Sequence, residues 1–169
     1  MAGDAPPSVG AIFSSDGPLA RGLTGYEPRA GQRRMAEAVA EAVDAGGVLL
    51  AEAGTGTGKT LAYLVPAILS GHRTVVSTGT KNLQEQIFAK DLPAIRDALG
   101  LSFTATLMKG RANYLCLHRL ERLDAAPDDA SALFERPAPV SRPDHQVFLP
   151  IIRRWAGRTT TGDRAELDD

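Results

Sequence analysis

The sequence has little that would suit a secreted, disulfide-linked or membrane-spanning protein. It contains one cysteine, Cys116, which excludes an internal disulfide framework and favours a reducing, intracellular setting. No apolar run approaches the roughly 18 residues that a membrane span requires. Residues 1–25 have neither the basic start nor the hydrophobic centre of a secretory signal. We therefore expect a cytoplasmic protein that has no membrane partner.

An excess of charge of either sign is also missing. Nineteen Lys and Arg residues against twenty Asp and Glu residues give a net charge of −1. Bulk electrostatics therefore do not indicate a nucleic-acid binder, and any such contact has to come from a local patch or from backbone groups. The apolar fraction of 43% excludes wholesale disorder, and 169 residues suffice for one ordinary domain.

The spacing of apolar residues predicts an α/β fold built from alternating strands and helices. Three runs are predicted as strands of a parallel sheet, at residues 48–51, 73–77 and 103–107. Helices are predicted over 29–43, over 61–69, and from Lys81 to Leu99 with a pause at Pro93. Strand–helix alternation indicates βαβ units and a doubly wound sheet. Three strands are fewer than the roughly five or six of a typical sheet, so we expect part of a domain.

Two regions flank this alternation. Residues 1–25 are rich in proline, glycine and serine and are predicted to be a flexible leader. After Met108 we expect a helix over 112–123, a proline-rich linker over 124–144 and a short amphipathic helix over 148–155. No internal repeat is found.

The strongest motif lies between the first predicted strand and the helix that follows it. It reads Ala53-Gly54-Thr55-Gly56-Thr57-Gly58-Lys59-Thr60 and matches a phosphate-binding loop, with alanine in place of the first glycine. The glycines allow positive φ, and successive N–H groups with the helix N-terminus form an anion nest. Lys59 supplies a charge for the β- and γ-phosphates, and the Thr60 hydroxyl suits Mg²⁺. We predict an ATP–Mg²⁺ site in which these two residues act in catalysis; the alternative is a glycine linker.

The loop alone does not identify the kind of nucleotide hydrolase. Hydrolysis requires a second element, normally an apolar strand that ends in an acidic residue or pair. In this sequence the run Val48–Glu52 has that form, but it leads into the phosphate loop itself. The catalytic half of such a site is therefore expected to lie outside this chain.

The loop form Ala-x-x-Gly-x-Gly-Lys-Thr resembles motif I of superfamily 2 helicases. Upstream, Tyr26-Glu27-Pro28-Arg29-Ala30-Gly31-Gln32 resembles their adenine-reading Q motif. The resemblance implies that Gln32 hydrogen-bonds the adenine edge, to which its amide offers a donor and an acceptor, with Arg29 among the nucleotide-binding residues. Without the family, a glutamine in a first helical turn is a solvent-facing residue or a cap.

Two further segments narrow the resemblance to the DinG/XPD-like (YoaA-type) iron–sulfur helicases. The stretch Val76 to Gln86 resembles their motif Ia, which implies that Thr78 and Thr80 hold phosphates of single-stranded DNA; Thr80 also suits an ordinary N-cap. The stretch Met108-Lys109-Gly110-Arg111-Ala112-Asn113-Tyr114-Leu115-Cys116 resembles the segment that carries the first cysteine of a 4Fe–4S cluster. Residues 159–167 resemble the stretch just before the second cysteine.

The resemblance covers about residues 26–169 and implies a RecA-like P-loop domain with the start of an iron–sulfur insertion. Its parts would be a leader (1–25), the first part of motor domain 1 (26–108) and the truncated insertion (109–169). Cys116 would be one cluster ligand whose three partners this chain lacks, so the cluster is expected only in a complete protein. Lys109 and Arg111 would line single-stranded DNA, although a solvated helix face explains them equally well.

We therefore predict the ATP-binding, amino-terminal part of a monomeric, ATP-dependent DNA helicase that moves 5′ to 3′ and acts in DNA repair. The isolated chain is expected to be inactive, and the functional polypeptide is expected to be longer at its carboxyl end. Two other interpretations stay open: a non-catalytic nucleotide- or DNA-binding fragment, and another P-loop enzyme such as a small-molecule kinase. Neither motif Ia nor the Cys116 segment has a role in a kinase.

Overall fold

The structure is a computed structural model that describes residues 7–125 and 142–167. It divides into two compact units, Met1–Leu107 and Met108–Asp169, and each is described by itself. Most of the predicted linker over 124–144 lies outside the described residues. In the part of the chain that the structure describes, every helix is too short or too polar to cross a membrane.

The first unit is a helical assembly. Its helices are α1 (Val9–Ile12), α2 (Pro18–Gly22), α3 (Ala30–Ala45), α4 (Lys59–Leu69), α5 (Lys81–Gln86) and α6 (Leu92–Leu99). Helices α3 and α4 confirm the two predicted from apolar spacing. Gly46 ends α3 with a φ of 66°, a left-handed conformation that glycine adopts without steric cost.

Helices α5 and α6 are joined by a π-helical turn, Ile87–Asp91, and the pause that the sequence predicted at Pro93 is not present, because Pro93 lies within α6. The N–H of Leu92 donates to the carbonyl of Ile87, five residues back instead of four. Pro93, the second residue of α6, has no N–H, and its ring crowds the carbonyl four residues earlier. One extra residue in the turn makes room for the ring, so the chain stays helical through this point.

The core of the first unit includes the segment that was predicted to be a flexible leader. Ile12, Phe13 and Leu19 are at most 1% exposed and belong to the same apolar cluster as Val65 and Ile95. Helix α1 packs on α3, and α2 packs on α6. The segment is ordered, and not a flexible leader as predicted, because burial of a few large apolar side chains is enough to hold short helical turns in place.

The three predicted strands are not formed as strands in the described residues. Segments 48–51, 73–77 and 103–107 have no regular secondary structure, and Val48, Leu50 and Val75 are at least 90% exposed. An extended segment becomes a strand only when a neighbour satisfies its N–H and C=O groups. None of these segments is such a neighbour for another here, so the predicted sheet is absent from the described residues.

Among its described residues, the second unit has two helices and two short 3₁₀ turns. The helices are α7 (Leu117–Ala125) and α8 (Arg142–Ala156), and the turns span Arg111–Asn113 and Arg164–Glu166. The predicted helix over 112–123 thus begins later, at Leu117, whereas the one over 148–155 lies within α8. Tyr114 and Asp163 form an antiparallel bridge that joins the beginning of this unit to its end.

We predict that Leu19→Ala destabilises the 169-residue chain by about 2–5 kcal/mol, because it leaves a cavity in the core of the first unit. Leu50→Ala is the matched control and is expected to change stability by no more than about 0.5 kcal/mol, because Leu50 is 94% exposed. Urea unfolding followed by circular dichroism measures both. A larger loss for Leu50→Ala than for Leu19→Ala would mean that the helical core described above is not the stabilising one.

Candidate functional site

The glycine-rich loop stands directly before α4, as the sequence predicted. Gly56 and Gly58 have φ values of 74° and 81°, and Gly58 is the N-cap residue of α4. The hydroxyl of Thr57 donates to the carbonyl of Gly54 at 2.9 Å and closes the turn. Left-handed glycines that lead into the N-terminus of an eleven-residue helix form the backbone arrangement that binds phosphate groups.

The side chain of Lys59 folds back over this loop. Its ammonium donates to the carbonyl of Gly54 at 2.7 Å and to the carbonyl of Ala53. The charge therefore lies against the loop and not out in solvent. Phosphate oxygens are stronger acceptors for an ammonium than neutral carbonyls are, so a bound polyphosphate would compete effectively for it.

Thr60, the predicted Mg²⁺ ligand, follows Lys59 in the first turn of α4 and is partly buried. Burial raises the pKa of Tyr63, and a side-chain hydrogen bond with Thr60 partly offsets that rise. A hydroxyl oxygen has two lone pairs, so Thr60 keeps acceptor capacity for a hard cation. The donors of the loop and this hydroxyl fit an ATP–Mg²⁺ complex.

Gln32 and Arg29, the predicted adenine-side residues, are in direct contact with the loop. Gln32 is only 5% exposed, and its Nε2 donates to the Gly58 carbonyl at 3.0 Å. Its Oε1 accepts a hydrogen bond from the Tyr26 hydroxyl, and burial raises the pKa of Tyr26. Arg29 donates to the Gly56 carbonyl. The two side chains therefore link the start of α3 to the loop, a connection that the motif spacing alone does not reveal.

A cavity of about 270 Å³ lies beside Arg29. It is lined by residues 13–15 and 28–30 together with Arg33. The sequence did not predict that Ser14 and Ser15 line this cavity, because both lie in the segment predicted to be a leader. The only signal for them was Phe13, a large apolar residue in an otherwise small and polar stretch.

The predicted DNA-contacting threonines cap the start of α5. The Thr80 hydroxyl accepts from the N–H of Leu83 at 3.3 Å, and the Thr78 hydroxyl donates to the Thr80 carbonyl at 3.1 Å. The N-cap alternative for Thr80 is therefore what the structure contains. A capping hydroxyl can still meet a phosphate, and Thr80 remains exposed.

In the second unit the structure separates the two predicted basic DNA contacts. Arg111 is exposed at the surface. The side chain of Lys109 is 3% exposed, and its ammonium lies 2.7 Å from a carboxylate oxygen of Asp163. The DNA contact of Arg111 stays a prediction with which its exposure is compatible, whereas the charge of Lys109 is directed toward Asp163.

Cys116 is exposed at the start of α7. No group of three or more His, Cys, Asp or Glu residues is arranged to hold a metal ion within residues 7–125 and 142–167. A 4Fe–4S cluster needs four thiolates, and the sequence has one. The residues present therefore do not fit an iron–sulfur cluster.

Comparisons with known proteins identify the family to which the chain belongs. Residues 31–125, more than half of the chain, match the DEAD/DEAH box helicase family. The chain is 46% identical over 157 residues to the ATP-dependent DNA helicase YoaA of Haemophilus influenzae, which covers 92% of this chain and 22% of that protein. It is 43% identical over 153 residues to YoaA of Escherichia coli K12, with 89% and 22% covered. No solved structure matches the chain significantly.

A third relative is the ATP-dependent helicase DinG of Mycobacterium tuberculosis, which is 38% identical over 168 residues, or 88% of this chain and 24% of that protein. The chain thus spans about a quarter or less of the length of these relatives. The family match begins at the start of α3 and includes Gln32, the phosphate loop, motif Ia and Cys116. The chain therefore belongs to the DEAD/DEAH box helicase family and resembles the YoaA and DinG helicases over most of its length.

Proposed function

We propose that this chain is the ATP-binding part of an ATP-dependent DNA helicase of the DinG/YoaA type. The observation that carries the proposal is the placement of Lys59, whose ammonium lies against a loop of left-handed glycines at the N-terminus of α4. This arrangement combines a backbone anion nest with a point charge, as triphosphate binding requires. ATP is proposed as the nucleotide and DNA as the polymer because the relatives are named ATP-dependent DNA helicases.

Each residue of the site has a distinct role in this proposal. Gly56 and Gly58 let the backbone approach the phosphates, Lys59 neutralises the terminal phosphates, and Thr60 holds Mg²⁺. Gln32 and Arg29, which contact the loop carbonyls, are proposed to place the adenine relative to the phosphates. The open depression beside Arg29 is proposed as the place of the base, because Arg29 is both part of its lining and in contact with the loop.

The proposal for the whole protein goes further than this chain. A second motor domain would close on bound ATP and reopen after hydrolysis, which moves the protein 5′ to 3′ along single-stranded DNA. Arg111, Thr78 and Thr80 would contact phosphates of that strand. A 4Fe–4S cluster is part of the proposal only for a longer polypeptide that adds three thiolates to Cys116. We also propose a cytoplasmic monomer that acts in DNA repair.

Lys59→Ala is expected to weaken ATP–Mg²⁺ binding by the 169-residue chain about ten- to hundredfold. A charge-assisted hydrogen bond to phosphate contributes roughly 1.5–3 kcal/mol, and 1.4 kcal/mol corresponds to tenfold. Titration calorimetry measures both affinities. Lys90→Ala is the matched control, because Lys90 is an exposed lysine on the π-helical turn and is not part of the phosphate loop. Equal affinities for wild type and Lys59→Ala would contradict the nucleotide site.

The chain of 169 residues is expected to bind ATP without hydrolysing it at a rate that responds to DNA. Its sequence offers no acidic strand end other than the one that leads into the loop, and no second motor domain to supply an arginine. Phosphate release is measured with and without single-stranded DNA. Release that rises with DNA and disappears in Lys59→Ala would show that the catalytic set is complete here.

A further inference from the structure

The second unit contains a buried ion pair that neither nucleotide binding nor the proposed DNA contacts use. Lys109 Nζ lies 2.7 Å from Asp163 Oδ2, and the two side chains are 3% and 14% exposed. Removing two charges from water is costly, and the cost is offset only where the pair is close and its other hydrogen-bonding groups are satisfied. A pair this well buried therefore indicates that the two segments are held together at this point.

Backbone contacts join the same two segments around the ion pair. Tyr114 and Asp163 form the antiparallel bridge, and the N–H of Leu115 donates to the Gly162 carbonyl at 2.8 Å. The Tyr114 hydroxyl accepts a hydrogen bond from the Lys109 N–H at 2.8 Å. We call these five residues, Lys109, Tyr114, Leu115, Gly162 and Asp163, the clasp. Each segment thus contacts the other through both side chains and backbone.

The later segment of the clasp is fixed by its own hydrogen bonds. The hydroxyls of Thr161 and Thr159 both donate to the carboxylate of Glu166, and they lower the pKa of that carboxyl. The N–H of Gly162 donates to the Thr159 hydroxyl at 2.8 Å. Gly162 has a φ of 69°, a left-handed conformation that favours glycine at this turn. Asp163 is therefore presented from a turn with a defined shape.

Cys116 follows the clasp immediately. Leu115 is the last paired residue, and the Cys116 carbonyl accepts from the Leu120 N–H at 3.0 Å, so this cysteine directly precedes α7. The thiol is exposed although the backbone on both sides of it is hydrogen-bonded. The position of the thiol thus depends on the clasp on one side and on α7 on the other.

We propose that Lys109 and Asp163 are positioning residues, which hold the exposed thiol of Cys116 at a fixed place without any metal ion. The role of Lys109 is then internal, because an ammonium that is 3% exposed cannot reach a DNA phosphate unless the clasp opens. This role replaces the DNA contact that the basic segment suggested for Lys109 and leaves that contact to Arg111.

The 169-residue chain allows a direct test, because a nitroxide spin label attached to its single cysteine reports only on Cys116. In Lys109→Met or Asp163→Leu we expect the label to become more mobile and the Leu115 amide to exchange roughly ten- to hundredfold faster. Each single change removes the Lys109–Asp163 ion pair and leaves one buried charge of that pair in place. The double variant removes both charges and is expected to be less mobile and slower to exchange than either single variant, since an apolar pair can replace a buried ion pair. Recovery is expected to be partial, because Asp163→Leu also removes the acceptor of the Ala165 N–H.

Arg158→Met is the matched control, because it removes an exposed cation from the same unit, and it is expected to leave the label and the amide unchanged. Single-stranded DNA binding provides the opposing readout. If Lys109→Met weakened DNA binding while the label stayed immobile, Lys109 would be a DNA contact and the proposal would be wrong. A double variant in which the label is as mobile as in the single variants would overturn it equally.

Discussion

The contact between Gln32 and the Gly58 carbonyl is the constraint on which the nucleotide site depends. It connects the start of α3 to the residue that caps α4, and these two helices pack against each other in the first unit. The approach is so close that a Cβ atom on Gly58 would lie 2.1 Å from Gln32 Nε2. Glycine is therefore favoured there by its left-handed φ, and a side chain at this position would displace the Gln32 amide from its hydrogen bond. The segment that resembles the Q motif thereby supports the loop, which is proposed to bind the phosphates of ATP.

The sequence predicted the helices and the loop well because both have local causes. The apolar spacing of α3 and α4 and the glycines before Lys59 determine structure over a few residues. The sheet was not predictable in the same way, since a strand depends on neighbours that are distant in the chain. Membership in the DEAD/DEAH box family implies a RecA-like fold, whereas segments such as Val48–Ala51 are unpaired in the described residues. The burial of Phe13 and Leu19 was equally non-local.

In the second unit, too, the features that depend on distant residues were not predictable from the local sequence. Lys109 and Arg111 are two residues apart and look equivalent as basic groups, yet one is buried and the other exposed. The ion pair of Lys109 with Asp163, which lies near the other end of the unit, distinguishes the two residues. The sequence resemblance had singled out both segments, as the surroundings of a first and a second cysteine. Their pairing in space gives these segments a shared physical role that requires no cluster.

The separation between a closed helical core and exposed aliphatic segments has a consequence for how the chain emerges from the ribosome. Helices α1 to α4 and α6 bury their apolar side chains among residues 9–99, so this nucleus can form before later parts of a longer polypeptide are synthesised. During that interval Val48, Leu50 and Val75 remain in water. Exposed β-branched and leucine side chains with unpaired backbone are typical starting points for aggregation and typical targets of chaperones. The same valines and leucine that suit a central sheet are thus the exposed apolar residues at which self-association of the first unit would begin.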